Sequence, residues 1–120
     1  MPADDAQAIL NGAEAFALEA GANGGISPYF DAYNVIYAQP DAPDRFLALL
    51  ESDSLPAQLF GLMGLRVLDR KAFDGSVGPY LTSSAHVEFY NGTCAPDLVP
   101  VSDIAAGIAS GDEEWLLATW

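Results

Sequence analysis

The only histidine and the only cysteine of this 120-residue chain, His86 and Cys94, stand close in sequence with Glu88 between them. An imidazole beside a thiol raises the thiolate fraction and makes a nucleophile, provided a third group orients the base. Glu88 and Asp97 are near in sequence, but spacing alone places neither as that orienter. In a strand His86 and Glu88 share a face, since side chains alternate. Two groups do not make a metal site, which takes three or four protein ligands. Isolated His and Cys residues are more often structural. A small enzyme or ligand-binding domain with a pocket around His86, Glu88 and Cys94 is therefore the alternative reading, and neither metal nor cofactor is expected. One cysteine also excludes an internal disulfide framework.

Charge points elsewhere. The chain has 17 Asp and Glu against 4 Lys and Arg, a net charge of −13. Such a field repels nucleic acid and anionic lipid, which are bound through clustered Lys and Arg. It favours a basic protein as partner, although acidity also serves solubility or a salty habitat. Tyr29, Tyr33 and Tyr37 recur at i, i+4 and i+8 and form one helical stripe, each ring offering apolar area and a polar tip. Asp41 and Asp44 in "DAPD", with Glu51 and Asp53 in "ESDS", place carboxylates at turns and helix starts. "DAPD" lacks the alternating oxygen ligands and central glycine of a calcium loop, so helix capping is the structural reading of these acids. The leading expectation is a small, acidic, non-catalytic interaction protein, an inhibitor or immunity-type partner of a basic protein. Its contact residues would be Tyr29, Tyr33, Tyr37, Asp41, Asp44, Glu51 and Asp53. A third possibility is a structural piece of an exported assembly. No residue pattern specifies an oligomeric state.

The elements that must position these groups are mostly helices. Ile9, Leu10, Ala13, Phe16, Ala17 and Ala20 predict an amphipathic helix over about 4–20, with Asp4 and Asp5 at its positive end and "GANGG" closing it. Ser27 and Pro28 start a second helix reaching about Ala38. Asp41 opens a short third helix bearing Phe46, Leu47, Leu49 and Leu50. Ser54, with Pro56 in the first turn, starts a fourth that ends near Asp69. "DGSVGP" then reads as a break. "HVEFY" followed by Asn91-Gly92 predicts a β-hairpin with a type I′ turn. Pro96 and Pro100 confine its returning strand to a sheet edge. Ser102 is expected to cap a helix over "DIAAGIAS", and "DEEWLLATW" could form a last one. The expected fold is one domain over 1–120, mainly α: a compact bundle of four to six short helices with αα-hairpins and a small β-hairpin near 85–99.

"SLPAQLFGLMGLRVLD", residues 54–69, is the most apolar stretch and holds Gly61 and Gly64. Each glycine costs a helix about 1 kcal/mol relative to alanine, so two of them predict a neighbouring backbone packed unusually close to a central core helix. Residues 44–68, "DRFLALL", an acidic turn and "LPAQLFGLMGLRVL", resemble a single HEAT-type helical unit, with Gln58 where such repeats often carry a basic residue. The resemblance implies a scaffold that binds macromolecules. Solenoids need about three copies and no second one is evident, so an ordinary αα-hairpin is the preferred reading. No run approaches the roughly 20 apolar residues of a membrane span. "MPADDAQAIL" lacks the basic and long apolar regions of a signal peptide. The expectation is a soluble protein, either cytoplasmic or an exported domain whose leader lies outside this sequence.

Overall fold

In the computed structural model, which describes residues 1–17, 19–20, 25–26, 28–90 and 97–110, helices dominate and a small sheet closes one side. Helix α1 spans Ala3–Asn11. Three two-residue strands follow: β1 (Phe16–Ala17), β2 (Glu19–Ala20) and β3 (Gly25–Ile26). Helices α2 (Pro28–Tyr37), α3 (Ala42–Leu49), α4 (Leu55–Leu68), α5 (Arg70–Ser76) and α6 (Gly78–Leu81) come next. Strands β4 (His86–Tyr90) and β5 (Asp97–Pro100) precede α7 (Val101–Ser110). The mainly helical class with a small β-hairpin is as the sequence implies. The described residues contain seven helices rather than four to six.

The extra helices lie on either side of the break expected at "DGSVGP", which narrows to one residue, Val77, between α5 and α6. Asp69 ends α4, and its carboxylate accepts from Ala72 N at 3.2 Å to start α5. Pro79, in the first turn of α6, then lacks only an N–H that a helix start leaves unpaired anyway. The first helix is shorter than its apolar spacing suggests. It stops at Asn11, where Asn and Gly are poor helix formers. Ser52 Oγ donates to the Asn11 carbonyl at 2.8 Å and Ser54 Oγ to the Ala13 carbonyl at 2.5 Å, fixing the exit path. Phe16 still reaches the core, but from a strand: β1 runs parallel to β4, pairing Phe16 with Phe89.

Helix α4 is the core. Its N-cap Ser54 accepts from Ala57 N at 3.1 Å, as the sequence indicates. From Pro56 to Leu65 every residue but Gln58 is buried, the environment an all-round apolar helix requires. The two glycines admit α3. A Cβ on Gly61 would lie 2.7 Å from the Phe46 carbonyl oxygen and 3.2 Å from Leu49 Cβ. One on Gly64 would overlap the buried Phe46 ring. The close approach predicted from the glycines is thus present, and its partner is α3.

The three-stranded sheet has the order β1-β4-β5, so β5 lies at the edge, where Pro100 directs it. Val101 N donates to the Ala85 carbonyl at 2.8 Å, which in an antiparallel ladder turns Pro100, one residue earlier, away from β4. The N–H that proline lacks is therefore one the ladder does not use. The hairpin register differs from that of a two-residue turn at Asn91-Gly92, which would pair Phe89 with Cys94. Phe89 pairs instead with Asp97, and His86 with Pro100. The connecting residues 91–96, with the expected turn, lie outside the described residues, as do Ser27 and the helix expected over "DEEWLLATW". Ser102 is not a cap: α7 begins at Val101, directly after the strand. Its Val101, Ile104, Ala105 and Ile108 form the buried i, i+3, i+4, i+7 stripe. Among the described residues no helix is long and apolar enough to cross a membrane.

Candidate functional site

The candidate residues fall into two places. Around α3, the turn before the helix brings Asp41, its first turn Asp44, and the turn after it Glu51 and Asp53; all four are exposed. Eight helical residues separate the two turns by about 12 Å. Asp41 is expected to cap, but its side chain makes no cap hydrogen bond. It accepts instead from Arg45 Nε at 3.0 Å, while Arg45 Nη1 reaches Asp4 on α1 at 3.2 Å. These bonds, that to Asp41 foremost, hold the guanidinium pKa above its ordinary value. The Arg45 carbonyl also accepts from Gln7 Nε2 at 2.9 Å, so one residue fastens α1 to α3 through side chain and backbone.

Asp44, Glu51 and Asp53 take no part in the ion pairs of the described residues, which join Arg45 to Asp4 and Asp41 and Arg70 to Asp74. Glu51 follows the C-terminal end of α3, whose last turn has no basic residue. A negative charge there opposes the helix dipole, so local helix stability does not account for it.

The tyrosine stripe on α2 is only partly a surface. Tyr33 is 7% exposed, with its ring 5.2 Å from Phe46 and 5.6 Å from Phe30. Tyr29 is half-buried, and its hydroxyl accepts from Glu14 N at 3.3 Å. Tyr37, 39% exposed at the end of α2, is the member that faces solvent. Period-four spacing marks one helix face, and here that face turns mainly inward because Phe46 and Phe60 lie beneath it.

A polar chain that the sequence reading missed crosses the same region. Gln58 Nε2 donates to the Ser52 carbonyl at 2.8 Å, and Gln58 Oε1 accepts from the Tyr80 hydroxyl at 2.8 Å. Ser52 Oγ continues it to Asn11, so the acidic turn, α4, α6 and the exit of α1 are tied together. The signal was the one polar residue among the apolar ones from Leu55 to Leu65, since an amide drawn partly out of water needs partners on both atoms. Burial, and then the charge of Glu51, raise the Tyr80 pKa.

The second place is the β4–β5 ladder. Val87 and Phe89 point into the core, whereas His86 and Glu88 are exposed on the other face, opposite Pro100 and Leu98. Leu98 is 71% exposed. The structure thus gives His86 and Glu88 the common face that strand alternation implies. Cys94 lies outside the described residues. Among the described residues no three His, Cys, Asp or Glu side chains converge to hold a metal ion. As arranged, the acids around α3 are suited to meeting amines or guanidinium groups from outside, which carboxylates bind through charge-assisted hydrogen bonds.

The pairing of an eight-residue with a fourteen-residue helix in α3–α4 is not repeated among the described residues. Comparison with protein-family models, with curated proteins and with solved structures finds no match to this chain.

Proposed function

We propose that this chain is a small, acidic, non-catalytic interaction protein that engages a basic protein through the carboxylates around α3. The observation that supports the reading best is that Asp44, Glu51 and Asp53 are exposed and outside the ion pairs of the described residues. The net charge of −13 supplies long-range attraction toward a cationic surface. Leu47, exposed on α3, offers apolar area one turn from Asp44, and Tyr37 at the end of α2 is also exposed. Asp41 contributes less, because Arg45 already neutralises it.

The test is affinity capture from cells of the source organism, with stepwise salt elution and identification of what elutes. The expected partners are basic, and salt releases them. The triple variant Asp44→Asn, Glu51→Gln, Asp53→Asn should bind the main partner about tenfold more weakly, given roughly 0.2–1 kcal/mol for each exposed pair. Partners without basic bias, held equally at low and high salt, would overturn the proposal.

A further inference from the structure

We draw no further inference here: the strongest candidate, the solvent face of the β4–β5 ladder carrying His86, Glu88 and Leu98, is an exposed patch over which nothing in the structure shows what sits.

Discussion

The α3–α4 hairpin and the β1–β4–β5 sheet both border the core, yet they are held by different means. In the hairpin two consecutive helices approach until backbone and ring touch, because Gly61 and Gly64 have no side chain to keep α3 away. In the sheet a two-residue strand joins another about seventy positions later, and Phe16 supplies the anchor. Its ring lies 4.7 Å from Phe60 on α4 and 5.9 Å from Phe89 on β4. The hairpin depends on the absence of atoms at two positions. The sheet depends on the presence of one large side chain.

Phe16→Ala attacks the second arrangement and should have the largest effect. Phe16 is fully buried among aromatic neighbours, and truncation of such a ring costs about 3–5 kcal/mol. Chemical denaturation of the variant measures it. A loss below 1 kcal/mol would show that β1 is dispensable to the core.

Gly61→Leu attacks the first. The new side chain meets the Phe46 carbonyl and Leu49, and overpacking of this kind costs about 1–3 kcal/mol. Wild-type melting in that variant would mean that α3 can retreat freely from α4.

A smaller effect separates the polar tie from both. Tyr80→Phe removes the donor to Gln58 Oε1 and should cost about 1 kcal/mol. It also alters the alkaline pH dependence. The folded-state pKa of Tyr80 is raised, so its contribution is complete below the unfolded value of about 10 and is lost as pH rises through the folded one. Melting temperature should therefore fall above about pH 10, and less steeply in Tyr80→Phe than in the wild type. Equal slopes would remove Tyr80 from the account.

The same contrast explains what was legible in the sequence. The hairpin is local: Ser54 as cap, Pro56 in the first turn and the two glycines all act on neighbours within one helix–turn–helix, so element, core position and close approach could be read directly. The strand at Phe16–Ala17 is non-local. Its apolar spacing also suits a helix, and what decides between them is Asn11-Gly12 together with two serine hydroxyls supplied from about forty positions away. Register in the β4–β5 ladder escaped for a related reason, since a turn signal fixes only the tightest pairing and the ladder adopted another. Of the candidate site, the exposed acids followed from their place in turns. Burial of Tyr33 did not, because spacing identifies a face without saying whether it points in or out.

The central claim is that the fold is organised by a close approach of α3 to α4, through the Phe46 carbonyl at Gly61 and the Phe46 ring at Gly64, which leaves no room for even one methyl group. The most direct measurement compares Gly64→Ala with Gly75→Ala by thermal or chemical denaturation. Both glycines lie inside helices, but a Cβ at Gly64 would overlap the Phe46 ring, whereas one at Gly75 would have nothing within 4 Å. Alanine should stabilise α5 by about 0.5–1 kcal/mol through helix propensity and reduced chain entropy. At Gly64 the collision should outweigh that gain and lower stability by about 1 kcal/mol or more. Opposite signs support the account; equal stabilisation by both variants would contradict it.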